Sequence, residues 1–266
     1  MPVMPTAKLN TKQIALISVF AALIVIVTRL PSIPILGGEG KVELSVILYP
    51  IIGIILGPWI GFVAAFLGNL IAWIIPSSTV FGILLIPAGA VAAFVSGSMS
   101  QKTSRLNWRA ATVVLAALDA SWYLTPVGWE APFYPVLHFA ALALVVLFRG
   151  RASEYIHSSS RDRTVLGAAV CSYAAIMADH MFGNLVWISS LGLVISLRAV
   201  RDAIRTLGMV WLTLGVSPFT GSIGDIFMLV LPISAVERLI YTAAATTLGV
   251  SLIRAIGWGR LSSPKP

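Results

Sequence analysis

The stretch that decides the fold is residues 42–75, VELSVILYPIIGIILGPWIGFVAAFLGNLIAWII, in which Glu43 is the one charged side chain. A helix crosses a hydrocarbon core of about 30 Å with about 20 residues, so this run is too long for one crossing. Gly57-Pro58 divides it, because glycine accepts turn conformations and proline suits the first turn of a helix. The stretch therefore predicts two antiparallel membrane helices, over residues 42–56 and 59–75.

The composition of the whole chain is strongly apolar, like that of this stretch. Of its 266 residues 58% are hydrophobic and 11% are charged, with a mean hydropathy of +0.94. Soluble domains are about 45–50% apolar and about 25% charged, so a water-soluble domain is excluded. The 18 Lys and Arg outnumber the 10 Asp and Glu, but they fall in short connections between apolar segments. Basic residues in such positions set the orientation of membrane helices, so the positive charge predicts no nucleic-acid partner.

Eight apolar segments bounded by glycine, proline or basic residues predict eight spans. They are residues 14–27, 42–56, 59–75, 81–98, 110–126, 133–148, 164–185 and 234–256. With alternating crossings, the basic clusters 8–12, 102–109 and 149–163 lie on one side, which is cytoplasmic by the positive-inside tendency. We therefore expect an all-α polytopic bundle that forms a single integral membrane domain over 1–266, with both termini in the cytoplasm. The first span is expected to be retained, because no small-residue cleavage site follows it.

The segment 186–231 fits this topology least well, because Arg198, Arg201 and Arg205 interrupt it. Their spacing of i, i+3 and i+7 places them on one face of a helix, which predicts an interfacial amphipathic helix. A ten-span alternative, with residues 184–197 as an additional crossing, would return these arginines to the cytoplasmic side.

Four charged side chains deep inside predicted spans are the candidates for function, because each costs about 2.5–3.5 kcal/mol there on insertion scales. They are Asp119, Asp179, Glu237 and Arg238. Asp179 and Arg238 are predicted at similar depth near the outer face, so two interpretations stay open. One is a structural salt bridge between them, and the other is a polar ligand pocket. The further side chains of that pocket would be His180, Asn184 and Tyr241.

No motif for catalysis, nucleotide hydrolysis or metal binding is found, so the sequence predicts neither an enzyme nor a cofactor. Gly40-Lys41 lacks the first glycine and the final Ser or Thr of a phosphate-binding loop. His138, His157 and His180 are far apart along the chain, and the single Cys171 excludes an intrachain disulfide. The Gly/Pro loop over residues 31–43 is interpreted either as a solvated turn or as a lid on the outer face.

The order of several short motifs resembles the substrate-binding S components of energy-coupling factor (ECF) transporters, especially archaeal ones. The motifs are Ala15, Ser18, Ala21 and Ala22 in the first span, Gly53-x-x-x-Gly57-Pro58-Trp59-Ile60-Gly61, Gly68-Asn69, the stretch 178–184, and Pro232 followed by 236–240 and Gly249-Val250. The resemblance covers about residues 11–98 and 164–256. It implies a six-helix core, to which residues 110–148 add an inserted helical pair.

The resemblance implies a subunit that captures a small micronutrient, such as a vitamin or precursor, at the outer face of the cell membrane. Such a subunit docks on a membrane scaffold (T) subunit that carries two ATPases. Carried onto this chain, Ser18 and Ala22 would form the docking face. The substrate-binding residues would be Glu39 and Lys41 in a gating loop, with Trp73, Asp179, Asn184, Glu237, Arg238 and Tyr241.

Two other functions stay open on the residues alone. A stand-alone secondary transporter would couple protons through Asp179 or Asp119. A membrane enzyme would use Asp179, His180 and Glu237, although no nucleophile or metal triad accompanies them.

Overall fold

A computed structural model describes residues 10–30, 33–34, 41–75, 79–102, 107–213 and 221–255. Within these ranges the chain is helical, apart from the antiparallel two-residue strands β1 (Ile33–Pro34) and β2 (Lys41–Val42). The helices are α1 Thr11–Val27, a 3-10 turn Leu44–Ile47 that continues into α2 Leu48–Leu56, α3 Pro58–Ile74, α4 Val80–Ser100, α5 Trp108–Tyr123, α6 Pro126–Glu130, α7 Val136–Phe148, α8 Arg151–Ile156, α9 Arg161–Ser189, α10 Leu197–Thr213 and α11 Ile223–Ala255. The predicted helical class is confirmed, and each predicted span contains a helix.

Local sequence explains where several helices begin. Asn10 and Gln13 form a reciprocal capping box at the start of α1, and the Thr79 side chain caps α4. Gly57 has φ 81° and ψ 178°, a conformation that disfavours any residue with a Cβ. Pro58 then starts α3. The predicted direct turn between two antiparallel helices is therefore found at Gly57-Pro58.

Helices α2, α4 and α9 form the centre of the bundle and contact one another. Every residue of α2 from Leu48 to Ile54 is buried. Helices α2 and α4 approach closely because Gly53 has no side chain: a Cβ there would overlap the Ala93 carbonyl oxygen and Ser96 Oγ. A Cβ at Gly97 would lie 2.5 Å from the carbonyl carbon of Gly57. These small residues therefore serve packing within the bundle.

The outer helices expose large apolar side chains that water would solvate poorly. Val113 on α5 is 67% exposed and Leu147 on α7 is 70% exposed, and the outward face of α11 carries Val236, Leu239 and Ile240. By length and composition α4 and α9 are able to cross a membrane, and four shorter apolar helices accompany them: Thr11–Val27, Leu44–Leu56, Pro58–Ile74 and Val136–Phe148. An apolar surface of this extent fits a lipid environment.

Helices α9 and α11 extend well beyond their predicted spans, and residues 184–197 do not form the additional helix that the ten-span alternative requires. α9 continues to Ser189, and the Ser190 carbonyl then accepts the N–H groups of Val194 and Ile195 in a tight turn. Residues 184–197 therefore contain the end of α9 and a turn, and they form no separate crossing. α11 begins at Ile223 and continues through Pro232, which lies at an exposed position of the helix.

The predicted amphipathic helix is α10, but its apolar face packs against the protein. Arg198, Arg201 and Arg205 are exposed, as their spacing indicated. Val200 and Ile204 are only 1% and 3% exposed. They belong to a buried cluster that includes Trp122, Trp187 and Phe227. α10 therefore covers one end of the bundle, and its polar face is turned away from the core.

Candidate ligand-binding site

The connections between helices define two ends of the bundle. We call the end with the α2–α3, α4–α5 and α7–α9 connections the basic end, because residues 102–109 and 149–163 carry most of its charge. The opposite end holds the α3–α4, α5–α7 and α9–α11 connections and α10. Close to this opposite end lies a set of buried and half-buried side chains that we call the polar cluster: Tyr134, His138, His180, Asn184, Glu237 and Arg238.

Arg238 on α11 is the charged centre of the polar cluster and is only 4% exposed. Its Nη2 lies 3.1 Å from Oε2 of Glu237, and its Cζ lies 5.5 Å from the ring centroid of Tyr241. Within the described part of the chain, Arg238 Nε and Glu237 Oε1 are buried without a hydrogen-bond partner. This ion pair therefore has unused hydrogen-bonding capacity on both sides, which is costly in a protein interior.

Tyr134 connects α9 to the loop before α7. Asn184 Nδ2 donates to the Tyr134 hydroxyl oxygen over 3.0 Å, and the same oxygen lies 3.3 Å from Nε2 of His180. The rings of His138 and His180 stack with centroids 5.2 Å apart. Among the described residues, both ring nitrogens of His138 and Nδ1 of His180 have no partner.

Aromatic rings enclose the polar cluster towards α5 and α10. Trp122 stacks on Tyr134 with centroids 4.9 Å apart, and Phe227 meets Tyr134 edge-on at 4.9 Å. The ring centroids of Trp187 and Phe227 are 5.4 Å apart. The indole nitrogen of Trp187 is buried with no acceptor in the described residues. The cluster thus combines large aromatic surfaces with a few polar atoms, a composition typical of small-molecule sites.

A second polar network lies on the neighbouring helices α2 and α3. Ser45 Oγ donates to Glu43 Oε2 over 3.2 Å and lies 3.1 Å from the Tyr49 hydroxyl. That hydroxyl donates to Asn69 Oδ1 over 2.9 Å. Asp179 on α9 lies within electrostatic range of Glu43, Tyr49 and Arg238. It is therefore near both this network and the polar cluster.

The structure brings four of the predicted site residues together and corrects one predicted interaction. Asn184, Glu237, Arg238 and Tyr241 lie in or beside the polar cluster. The salt bridge between Asp179 and Arg238, one of the two interpretations left open, is not found: among the described residues, the ion pair of Arg238 is made with Glu237. Glu237 is its immediate neighbour on α11, and the guanidinium lies over Tyr241, where it gains a cation–π contact.

For three other predicted binding residues, the structure shows no side chain in the polar cluster. The Trp73 indole nitrogen donates to the Thr79 carbonyl oxygen over 3.0 Å, which closes the α3–α4 connection. Glu39 lies outside the described residues. Lys41 is described only by its backbone, in β2.

Tyr134 and His138 were not predicted as site residues, because they belong to the pair 110–148 that was interpreted as an insertion. One signal pointed to His138: it is the single ionisable residue in the apolar helix α7. His138 and His180 are far apart along the chain but close in space, because α7 packs on α9.

The predicted docking residues lie on the surface of α1. Ser18 and Ala22 are exposed, and Ser18 Oγ donates back to the Ile14 carbonyl over 3.0 Å. Their neighbour Val19 is 61% exposed. This part of α1 therefore offers small and apolar side chains to its surroundings.

Comparison with known proteins finds a similarity to one family in the first part of the chain. Residues 8–126 match the family model described as ECF-type riboflavin transporter, S component. The resemblance to ECF S components is confirmed over these residues. The match covers α1 to α5, so it includes the first helix of the pair interpreted as an insertion, and it ends before Tyr134.

One relative is archaeal, as the resemblance implied. The chain is 30% identical over 154 residues to an uncharacterized protein of Methanocaldococcus jannaschii. The alignment covers 58% of this chain and spans 50% of the length of that relative. No solved structure matches the chain.

Proposed function

We propose that the chain is the membrane-embedded, cargo-binding subunit of an ATP-driven ECF-type importer, and that it captures a small micronutrient at the outer face. The observation that carries the proposal is the polar cluster. Its buried arginine, glutamate and histidines keep hydrogen-bonding atoms without partners among the described residues. The family match over residues 8–126 supports the same function.

The cargo in this proposal lies between α9, α11 and the start of α7. Asp179, Asn184, Glu237, Arg238 and Tyr241 bind it, with Tyr134, His138 and His180 completing the wall. Unpartnered atoms of this kind suit a ligand that supplies the missing donors and acceptors, because buried polar groups are stable only when hydrogen-bonded. Glu39 and Lys41 are proposed to bind cargo from the gating loop, and Trp73 from α3.

The proposed topology has eight crossings and a single membrane domain, with the basic end in the cytoplasm. The positive-inside tendency supports this orientation, since Lys and Arg concentrate in the short connections of that end. The polar cluster then lies towards the outside, where cargo is collected. Residues 110–148 are proposed to be an added pair that contributes Tyr134 and His138 to the site.

The proposed partners are a membrane scaffold (T) subunit and two ATPase subunits, which supply the energy. Ser18 and Ala22 form the docking face, because small exposed residues let another helix approach the backbone closely.

Crosslinking in native membranes, followed by purification, tests this assembly. The double variant Ser18→Leu/Ala22→Leu fills the docking face, and we expect it to recover at least about tenfold less ATPase subunit than the wild type, since a lost interface of about 1.4 kcal/mol corresponds to one decade. Thr247→Leu on α11 is the matched control: Thr247 is exposed and, like Ser18, donates to the carbonyl four residues earlier. Wild-type protein that crosslinks only to itself, and never to an ATPase-bearing complex, would contradict the proposal.

A stand-alone secondary transporter is the second candidate, and Asp119 is the observation that favours it. Asp119 is 2% exposed, and neither carboxylate oxygen has a partner in the described residues. Proton-coupled uptake into vesicles that contain this chain alone, and its loss in Asp119→Asn, would support this function. Uptake that requires the ATPase subunits would exclude it.

A further inference from the structure

A cavity of about 480 Å³ lies at the basic end of the bundle, away from the polar cluster. Three elements that meet at this end line it: the C-terminal turn of α4 with Lys102, the start of α5, and the turn around Gly150 that leads into α8. Its volume falls in the range of about 300–1,000 Å³ that is typical of small-molecule sites. The cavity therefore has room for a ligand that is unrelated to the proposed cargo.

Ser98 contributes a buried side chain to the cavity wall. Ser98 is only 1% exposed, and its Oγ is buried without a hydrogen-bond partner in the part of the chain that the structure describes. The other serines near the end of α4 behave differently: Ser96 and Ser100 both donate to backbone carbonyls. An unpartnered buried hydroxyl costs about 1–3 kcal/mol, and a ligand group beside Ser98 would recover this cost by completing its hydrogen bonding.

The groups around Ser98 favour an anion. Lys102 lines the cavity, and among the described residues no carboxylate lies within ion-pair distance of it. Asn107 uses its Oδ1 to cap Arg109 N, which leaves its amide nitrogen as a donor at the N-terminus of α5. Glu154 is the one acidic side chain in the lining, and it is exposed to solvent.

The position of the cavity favours a lipid as the source of that anion. Trp108 lines it, and tryptophan is enriched where the membrane meets water. Val113 and Leu147, on the two helices that lead away from the cavity, are 67% and 70% exposed. Acyl chains of a lipid whose headgroup occupies the cavity would therefore meet an apolar surface.

We infer that this cavity binds the phosphate group of an anionic lipid, with Lys102 as its charge partner and with Ser98 and Asn107 as hydrogen-bond donors. Basic pockets between membrane helices commonly bind such headgroups. The assignment does not depend on the proposed import function, because no residue of the polar cluster takes part in it.

Binding of defined lipids to delipidated protein in detergent tests the inference, with the rise in thermal unfolding midpoint as the readout. The probes are phosphatidylglycerol, the zwitterionic phosphatidylcholine, and inorganic phosphate. We expect phosphatidylglycerol to stabilise the wild type and phosphatidylcholine to have little effect. Stabilisation by inorganic phosphate at similar concentrations would assign the site to free phosphate and overturn the lipid as its source.

Three variants and one control make the test specific. Lys102→Ala should weaken the apparent affinity for phosphatidylglycerol about fivefold, as expected for one lysine near an anionic headgroup. Ser98→Ala should weaken it about threefold without lowering the stability of the lipid-free protein, because the lost hydroxyl had no partner. Glu154→Gln should strengthen it, since a repelling carboxylate is removed. Arg163→Ala removes an exposed arginine of the same end that does not line the cavity, and it should leave the affinity unchanged.

Equal stabilisation by both phospholipids would overturn the inference. So would a loss of affinity in Arg163→Ala as large as that in Lys102→Ala, because binding would then follow the general charge of this end and not the cavity.

Discussion

Replacement of Gly53 by alanine tests the packing that places α9 and α11 around the candidate site. A Cβ at Gly53 would overlap the Ala93 carbonyl oxygen, which belongs to helical backbone and cannot rotate away. Overpacking of this kind costs about 1–3 kcal/mol, and more when backbone must move. Alanine itself favours a helix over glycine by about 1 kcal/mol. We therefore expect Gly53→Ala to lower the free energy of unfolding by at least about 1 kcal/mol in total.

The matched control is Gly249→Ala on α11. Gly249 is also buried in a helix, but a Cβ there would meet Ile51 Cγ1 at 3.6 Å, an ordinary contact distance. This variant should be neutral or up to about 1 kcal/mol more stable, because only the helix preference changes.

Thermal unfolding of the two purified variants in one detergent measures the difference. At roughly 2–4 °C per kcal/mol for a chain of about this size, Gly53→Ala should unfold several degrees below Gly249→Ala. A midpoint for Gly53→Ala equal to or above that of Gly249→Ala would refute the close approach of α2 and α4.

Three further predictions concern other parts of the fold. Arg149 has φ 47° and ψ −129°, a strained conformation that costs about 1–3 kcal/mol, so Arg149→Gly should raise the unfolding midpoint and Arg149→Ala should not. Glu130 Oε2 accepts the Gly224 N–H over 2.8 Å at the N-terminus of α11, so Glu130→Gln should lower the free energy of unfolding by about 0.3–1 kcal/mol. Burial lowers the pKa of His157 below its ordinary value of 6.5. The unfolded chain then binds the proton more tightly, so stability should fall as the pH drops through about 6.5, and His157→Gln should reduce that dependence in unfolding measured from pH 7.5 to 5.5.

The helices were predictable because their limits follow from local chemistry. Apolar run length and the Gly57-Pro58 turn indicated α2 and α3, and the spacing of Arg198, Arg201 and Arg205 indicated α10. The start of α11 was misjudged because Pro232 was read as a boundary. A proline is tolerated inside a helix when neighbouring structure compensates for the lost hydrogen bond, and nothing local reveals that compensation.

The site was less predictable because it depends on which helices touch. The cost of burying charge singled out Glu237 and Arg238, which the structure places together, but the partner of Arg238 depends on side-chain orientation over Tyr241. His138 and Tyr134 join the site only because α7 packs against α9. Contacts of that kind arise between segments far apart along the chain, so periodicity and composition carry no information about them.

Mass spectrometry of small molecules released from the denatured protein tests the central claim most directly, since a cargo-binding subunit should retain its cargo through purification. We expect one compound in near-stoichiometric amount from the wild type and from Arg201→Ala, whose arginine is exposed on α10. Arg238→Ala should retain at least about tenfold less, consistent with the loss of a buried charged hydrogen bond of about 1.5–3 kcal/mol. Arg238→Lys and the elution profile of each variant serve as checks on folding. Equal retention by well-folded Arg238→Ala, or no retained compound in the wild type, would contradict a cargo site at the polar cluster.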